Sequence, residues 1–381
     1  MKQKQKNNLK DLQQMQSLSF ESKLAITRRR IMDWYEYWNG NVYVSISGKD
    51  STVLLHIVRD IYPNVKAVFC DTGLEYPEIK ELAMSHPNVD IIRPKKPFWQ
   101  VVRDEGYPLI SKEVAECIDN ARKYITASKD ITHTHTHTQN NESCLISSTL
   151  EKYAELENTP QRVKKILGTL TRRSSPDRSM FNLLKYKPLL DVPFRISNKC
   201  CSIMKKEPLH RYNKETGLKP MTGEMASESR LRTQSWLKNG CNGFEMKEPK
   251  STPLAFWTEQ DILRYIKEYN VKIPSIYGEV INDSPIANTE QLSFMEYECP
   301  LKTTGCSRSG CIYCGFGLHL EKQLTRFQQL KKTHPQLYNY CMNGGEFDKE
   351  GMWIPNKKGL GLRFVFDTVN KIYGKDFFRY E

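Results

Sequence analysis

The feature that most constrains this chain is a short polar turn between two apolar runs, VYVSISGKDSTVLLHIV, at residues 42–58. Backbone N–H groups and hydroxyls at a strand-to-helix junction bind anions, and the helix N-terminus adds partial positive charge. The turn is neither a Walker A loop nor a G-x-G-x-x-G dinucleotide fingerprint. It predicts a different phosphate-binding loop, formed by Ser45, Ser47, Gly48, Lys49, Asp50 and Ser51.

Two charged residues of this turn, Lys49 and Asp50, indicate how it could bind a phosphate. Lys49 can reach a phosphate oxygen as a compact cation. Asp50 is unexpected beside an anion, unless it serves the turn itself or helps to hold a magnesium ion.

Strand-like and helix-like segments alternate after residue 20. The pattern predicts helices at 20–38, 52–62 and 77–85, and strands at 42–46, 65–73 and 88–93. Such alternation is typical of an α/β fold, a parallel twisted sheet with helices on both faces. Residues 1–20 are predicted to form a frayed tail. A basic helical segment is predicted at 151–173.

We expect three parts along the chain: a tail and helix (1–38), a nucleotide-binding domain (39–280), and a Cys-rich, helical C-terminal segment (281–381). Within the second part, residues 126–148 contain THTHTHT and other polar sequence. A His-rich tract can bind metal adventitiously, but a polar insertion loop is the preferred interpretation.

The composition narrows the class of partner without selecting one. The formal net charge of +13 suits a nucleic acid, an anionic nucleotide or simply a basic surface. No apolar run is long enough to span a bilayer, and the lysine-rich start does not resemble a secretory signal. We therefore expect a cytoplasmic protein with no membrane partner.

The eleven cysteines include two close pairs, Cys200–Cys201 and Cys311–Cys314, with Cys306 close to the second pair. Close pairs in a reducing compartment suggest a metal or cluster site rather than disulfides. Alternatives are a four-cysteine zinc site and unligated core cysteines.

Several motifs carry a family resemblance. S-x-S-G-K-D-S at residues 45–51 resembles the pyrophosphate-binding loop of the adenine nucleotide alpha-hydrolase-like (PP-loop) superfamily. DTGLEYPE (71–78), CCSIMKKEPLHRY (200–212), TGEMASESRLR (222–232) and PLAFWTEQDILRYI (253–266) are similar, in the same order, to segments of the phosphoadenosine phosphosulfate (PAPS) reductase family. This co-linear resemblance covers roughly residues 40–320.

The resemblance implies a nucleotide site. Its phosphate end is the loop at 45–51, with Lys49 and Asp50 as catalytic residues. Asp71, Thr72 and Gly73 lie at its rim near a ribose or magnesium, unless they form only a turn. Glu228, Ser229 and catalytic Arg232, with Lys205 and Lys206, line its anion end. Glu224 stands where the family often has an arginine.

The resemblance also implies a 4Fe–4S cluster held by Cys200, Cys201, Cys311 and Cys314. Mg²⁺ is a second candidate cofactor, because it would offset phosphate charge. Cys306 is a spare cluster-ligand candidate.

One departure from the family concerns the nucleophile. Sulfonucleotide reductases carry a reactive cysteine in a C-terminal E-C-G-x-H segment, whereas this chain ends IYGKDFFRYE and its last cysteine, Cys341, lies in YNYCMNGGE. Cys341 is the candidate replacement, since a thiolate nucleophile makes reduction possible.

The expected function is a PAPS reductase-like enzyme acting on an adenine nucleotide at its alpha phosphate or sulfate. The nucleotide is ATP, adenylyl sulfate or PAPS, and the further partner is a nucleic acid or a thiol reductant protein. Alternatives are an ATP-dependent sulfurtransferase that modifies nucleic acid, and a non-catalytic nucleotide- and cluster-binding subunit.

Overall fold

A computed structural model describes residues 7–132, 159–172, 175–178, 181–283 and 300–381. Within these ranges the chain forms two discontinuous units, residues 1–95 with 206–311 (unit 1) and residues 96–205 with 312–381 (unit 2). The divisions at residues 38 and 280 stay predictions. Among the described helices, none is long and apolar enough to cross a membrane.

The helices of the described residues are α1 Leu9–Gln16, α2 Phe20–Tyr37, α3 Lys49–Ile61, α4 Pro77–Ser85, α5 Phe98–Glu105, α6 Lys112–Thr132, α7 Gln161–Leu167, α8 Glu207–Thr216, α9 Arg230–Asn239, α10 Glu259–Glu268, α11 Arg326–Thr333, α12 Pro335–Met342 and α13 Leu362–Tyr373. The strands are β1 Val42–Ile46, β2 Lys66–Cys70, β3 Val89–Ile92, β4 Leu109–Ile110, β5 Thr171–Arg172, β6 Ser175–Arg178, β7 Lys219–Thr222, β8 Asn242–Gly243, β9 Lys250–Ser251, β10 Val280–Asn282, β11 Leu301–Thr303, β12 Gly315–Phe316, β13 Glu346–Phe347 and β14 Trp353–Ile354.

Unit 1 contains a six-stranded sheet in the order β3-β2-β1-β7-β9-β8. All its neighbouring strands are parallel except β8, which pairs antiparallel with β9. The chain leaves β1 toward β2 on one side, while β7 pairs with β1 on the other. The carboxyl end of β1 is therefore a topological switch point, where open α/β sheets bind ligands. The predicted α/β class with a parallel sheet is confirmed.

Side chains of β1 alternate between the two faces of the sheet, as the strand period requires. Tyr43 packs with Val68 of β2 and Tyr212 of α8 in one buried cluster. The hydroxyl of Tyr43 donates to Asn213 at 2.8 Å, so this buried phenol is hydrogen-bonded. Helix α3 contacts β1 and is itself contacted by α2 and α10.

Helix α10 is fixed to α2 by a buried ion pair. Lys23 Nζ lies 2.9 and 2.8 Å from the two carboxylate oxygens of Asp261, and both residues are buried. Asp261 also accepts from the backbone N–H and hydroxyl of Thr258, and the two residues form a capping box at the start of the helix. The position of the first turn of α10 is thus set by side chains far apart in sequence.

Unit 2 has a helical core with short strands. Helix α6 carries Arg122, whose guanidinium donates to the backbone carbonyls of Leu190, Val192 and Phe194. Burial lowers the pKa of Arg122 to about 10. Strands β4 and β12 pair in parallel, and β13 pairs antiparallel with β14.

Four predictions for secondary structure differ from what is observed. Residues 9–16 form a helix capped by Asn8 and Asp11 rather than a frayed tail. Helix α3 begins at Lys49 instead of residue 52, because the polar turn supplies its first turn. Helix α6 continues through residues 126–132 of the predicted insertion, and residues 133–148 lie outside the described part. Of the predicted helical segment 151–173, residues 161–167 are helical, and 151–158 are not described.

Candidate nucleotide-binding site

The predicted phosphate loop lies at the junction of β1 and α3 and is closed by a serine hydroxyl. The Ser47 N–H donates to Ser51 Oγ at 2.7 Å, and that hydroxyl donates to the Gly48 carbonyl at 2.8 Å. The hydroxyl of Thr52 also donates to the Gly48 carbonyl, at 3.2 Å. These bonds within the loop hold the helix N-terminus at the carboxyl end of β1, with its first N–H groups directed away from the helix.

Gly48 is required by a tyrosine that lies against the loop. The Lys49 N–H donates to the hydroxyl of Tyr277 at 3.3 Å, and that hydroxyl donates to Ser309 Oγ at 2.9 Å. A Cβ at residue 48 would overlap the Tyr277 hydroxyl. Glycine is thus the residue that allows this close approach.

The Lys49 ammonium is 2% exposed and has three oxygen partners. Its Nζ lies 2.8 Å from Glu259 Oε1, 2.9 Å from the Ser307 carbonyl and 3.4 Å from Asp50 Oδ1. Burial acts to lower the pKa of Lys49, but Asp50 and Glu259 outweigh it and raise the pKa overall. Lys49 therefore stays charged, as an anion-binding lysine must.

Asp50 lies among charges of both signs. Burial raises the pKa of its carboxyl group, with Lys49 and Arg308 opposing the shift and Glu259 adding to it. Its Oδ1 is shielded from water and makes no hydrogen bond, although the Lys49 ammonium is near. A carboxylate in this state can accept a cation brought with a ligand.

Glu228, Ser229 and Arg232 of the predicted anion end are also in unit 1, whereas Lys205 belongs to unit 2. Glu228 forms ion pairs with Arg232 and, at 3.4 Å, with Arg308. Burial lowers the pKa of Arg232, while Glu224 and Asp50 oppose that shift and Arg308 adds to it. Asp50 of the phosphate loop is thus one of the charges that act on the guanidinium of Arg232.

Two residues of the anion end have structural roles. Ser229 Oγ accepts from the Arg232 N–H at 3.3 Å and so caps α9. Glu224 Oε2 lies 3.0 Å from the Lys250 ammonium. Gly223, which precedes Glu224, packs so closely on the backbone of residues 50 and 51 that a Cβ there would overlap it.

The Asp-Thr-Gly segment after β2 forms a turn that is held by local hydrogen bonds. Thr72 donates to Glu75 Oε2 through its hydroxyl at 2.7 Å and its N–H at 3.2 Å, and Gly73 has φ +71°. Asp71 Oδ2 lies 3.0 Å from the Lys80 ammonium and 3.2 Å from Arg93 Nε. Burial acts to raise the pKa of Asp71, but these two cations lower it overall. Asp71 is thus a paired carboxylate.

The predicted cluster cysteines fall in both units: Cys200, Cys201 and Cys314 in unit 2, and Cys311 at the end of unit 1. A hydrogen bond from Cys200 lowers the pKa of Cys201 to about 6; burial opposes it, and Lys112 and Lys205 add to it. A thiolate is the ligand form for iron or zinc. In the described ranges, no three Cys, His, Asp or Glu side chains lie close enough to hold one metal ion.

Cys341 has the environment of a structural cysteine. It is fully buried in α12, and its thiol donates to the Tyr338 carbonyl at 3.1 Å. Burial strongly raises its pKa. In this position Cys341 is a protonated thiol without access to a substrate, which gives no support to its predicted role as nucleophile.

Lys205 and Lys206 end the π-helical turn Ser202–Lys206 that follows the cysteine pair.

Sequence reasoning missed five residues that surround the phosphate loop: Glu259, Tyr277, Ser307, Arg308 and Ser309. Glu259 lies in the family-like segment at 253–266, and Ser307, Arg308 and Ser309 lie among the cysteines at 306–314, so none of them was recognised as part of the site. The available signal was the polar run between Cys306 and Cys311, which has the composition of an anion-binding loop.

A parallel sheet with this loop at its switch point defines a nucleotide-binding α/β domain of the PP-loop kind. The sequence matches the model of the phosphoadenosine phosphosulfate reductase domain at residues 41–107 and 132–315. The chain belongs to this family, which confirms the resemblance.

The crystal structure of phosphoadenylyl-sulfate (PAPS) reductase from Candida auris, in a phosphate complex, matches with a TM-score of 0.32 and 14% identity, covering 70% of this chain and 90% of that one. No curated protein matches the sequence.

Proposed function

We propose that the protein is an enzyme of the sulfonucleotide reductase kind that acts on an adenine nucleotide. The loop at 45–51 binds the phosphates, and the bond that breaks joins the alpha phosphate to the sulfate or phosphate beyond it. The observation that carries this proposal is the buried, charged Lys49 at the N-terminus of α3, at the switch point of the sheet. Family membership supports the same class of substrate.

The residues of the site have separate tasks in such a reaction. Lys49 and the N–H groups of α3 offset the charge that grows on the departing phosphate. Arg232, already paired with Glu228, supplies a second cation at the anion end. Asp50 is the candidate to share a Mg²⁺ ion with the nucleotide, because its buried Oδ1 accepts no hydrogen bond within the described residues.

The reductase reaction requires a thiolate, which Lys49, Arg232 and Asp50 do not supply. The thiolate attacks the sulfate sulfur, an S–S bond forms, the S–O bond to the alpha phosphate breaks, and the nucleotide monophosphate leaves. Cys341 is buried and protonated in its present position. We propose that a thiol reductant protein is the partner for this step.

The burial of Cys341 favours a second candidate function, that of an ATP-dependent sulfurtransferase. In this reaction an oxygen of a nucleic acid attacks the alpha phosphate of ATP and pyrophosphate leaves, so this step needs no thiolate of the enzyme. The loop residues would then hold the departing pyrophosphate.

Product analysis on anaerobically purified protein separates these reactions. ATP, adenylyl sulfate and PAPS are supplied separately with a thiol reductant. Sulfite with AMP or its 3′-phosphate supports the reductase. Pyrophosphate from ATP with added nucleic acid, followed by AMP when added sulfide displaces it from the acceptor, supports the sulfurtransferase. Binding without any product would contradict both and favour the non-catalytic subunit.

We also propose that Cys200, Cys201, Cys311 and Cys314 hold a 4Fe–4S cluster. The support is the chemistry of the donor set, four thiols of which one has a lowered pKa. When bound, the cluster would add a redox-active group. Iron and acid-labile sulfide should be lost in each Cys→Ser variant of the four, and kept in the control Cys117→Ser, which alters a buried cysteine of α6. Equal loss in the control, or zinc in place of iron, would refute the proposal.

A further inference from the structure

The segment Thr303–Cys311, TTGCSRSGC, is held against the residues that follow α10. The N–H of Gly305 donates to the Tyr277 carbonyl at 2.8 Å, and the N–H of Cys306 donates to the Ile276 carbonyl at 3.0 Å. A Cβ at Gly305 would overlap the Ile276 carbonyl. The backbone of the 303–311 segment is thus fixed before it reaches the phosphate loop.

The two residues on either side of Arg308 are both tied to Lys49. The Ser307 carbonyl accepts from the Lys49 ammonium at 2.9 Å. The Ser309 hydroxyl accepts from Tyr277, whose hydroxyl receives the Lys49 N–H. Because the bonds on both sides lead to one loop residue, the backbone of Arg308 is fixed at the edge of the loop.

The guanidinium of Arg308 is loosely held by comparison. Its side chain is 63% exposed, and its ion-pair partner is Glu228 Oε1 at 3.4 Å. Glu228 is also the partner of Arg232, so one carboxylate serves two guanidinium groups. The positive charge of Arg308 affects both Asp50 and Arg232. Arg232 also lies 3.9 Å from Glu224 Oε2, but that carboxylate pairs with Lys250 at 3.0 Å. Three cations, Arg232, Arg308 and Lys250, therefore share the two carboxylates of Glu228 and Glu224.

We infer that Arg308 is a substrate-binding residue whose guanidinium, together with Arg232, holds the tetrahedral oxyanion beyond the alpha phosphate of the nucleotide. This inference rests on the proposed function, because it requires an adenine nucleotide at the loop. On binding, Arg308 exchanges its 3.4 Å contact with Glu228 for paired hydrogen bonds to oxyanion oxygens, which suit a planar guanidinium. A sulfate and a beta phosphate share this chemistry.

The test compares nucleotides with and without the outer oxyanion. Dissociation constants for ATP, adenylyl sulfate, PAPS and AMP are measured by titration calorimetry for the wild type, Arg308→Gln and Arg308→Lys. The matched control is Arg29→Gln in α2, where an arginine of 67% exposure pairs with Asp33 at 2.8 Å. ATP and adenylyl sulfate distinguish the two sources of the oxyanion.

We expect Arg308→Gln to weaken the affinity for ATP, adenylyl sulfate or PAPS, whichever the wild type binds, by at least about tenfold and to leave the affinity for AMP within about twofold. Arg308→Lys should recover part of the loss, and Arg29→Gln should match the wild type. Unchanged affinity for every nucleotide tested would overturn the inference, as would an equal loss for AMP. If the wild type bound none of them, the proposed function would fail first, and this result is distinct from the other two.

Discussion

At the scale of single residues, Lys49 connects most of the site. Its ammonium and its backbone N–H bind different partners, so one residue links Glu259, Ser307 and Tyr277 to the phosphate loop. None of these partners adjoins the loop in sequence. The sequence identified Lys49 as an anion-binding residue from its turn, but it contained no sign of which groups hold the lysine before a ligand arrives.

Lys49→Gln should lower the affinity for the adenine nucleotide by at least about tenfold, because the loop loses the cation that meets the phosphate. The measurement is a nucleotide titration at constant ionic strength. Lys66→Gln is the control, since Lys66 pairs with Asp90 at 2.9 Å on neighbouring strands. Equal affinities of Lys49→Gln and the wild type would show that the loop is not the phosphate site.

The ion pairs of Asp71 should make the stability of the protein depend on pH. Lys80 and Arg93 lower the pKa of Asp71 against the effect of burial, so the unfolded state binds the proton more readily than the folded state. The stabilisation is present above the unfolded pKa and is lost as the pH falls through the folded value. Asp71→Asn should cost roughly 1 kcal/mol in the free energy of unfolding at neutral pH.

Urea unfolding of Asp71→Asn and the wild type checks this at neutral pH and again in acid. The difference between the two proteins should shrink toward zero as the pH falls below the ordinary aspartate range. A difference that stayed constant with pH would mean that Asp71 does not titrate against Lys80 and Arg93.

At the scale of elements, β1 and α4 were predicted to the residue. Strand β1 is an apolar run between polar stops, and α4 begins with Pro77 at its first position. The start of α3 was misplaced because Lys49–Ser51 look like a loop until an anion-binding turn is allowed to begin the helix. The approach of Tyr277 and Arg308 could not be predicted, since it depends on tertiary packing of distant segments.

Gly48→Ala should disrupt the junction of β1 and α3. The new methyl group would overlap the Tyr277 hydroxyl, so either the ring or the loop must move. We expect nucleotide affinity to fall at least about tenfold with the fold retained, as judged by circular dichroism and titration. The double variant Gly48→Ala, Tyr277→Phe removes the overlapping oxygen and should recover part of the affinity; no recovery would place the conflict elsewhere.

The Lys23–Asp261 pair should be essential for joining α2 to α10. Lys23→Met leaves Asp261 buried beside an apolar side chain and should cost about 3 kcal/mol in the free energy of unfolding. Arg28→Gln, which breaks an exposed pair with Asp60, should cost less than about 1 kcal/mol. Equal costs in denaturant unfolding would contradict the assignment of the first pair as buried.

At the scale of the whole molecule, the candidate phosphate site belongs to unit 1. Every hydrogen bond and ion pair described around Lys49 and Arg308 lies within residues 1–95 and 206–311. The domain spanning 39–280 stays a prediction, since a linear division of the sequence cannot represent a unit built from two separated stretches of chain.

Hydrogen exchange should reflect this division. Saturating nucleotide should slow amide exchange in the loop at 45–51 and in the segment 303–309, because ligand binding stabilises the folded state of the unit that holds it. Protection confined to residues of unit 2 would place the nucleotide elsewhere. The exchange is followed by mass spectrometry of peptides from the full chain.

The discontinuity of unit 1 also has a consequence for biosynthesis. The ribosome completes the phosphate loop early, yet Glu259, Tyr277 and Ser307 emerge only after all of residues 96–205 have been made. At about 5–20 residues per second, the nascent chain waits on the order of tens of seconds for its own partners. During that time Lys49 and the open edge of β1, which later pairs with β7, are exposed to chaperones and to other nascent chains.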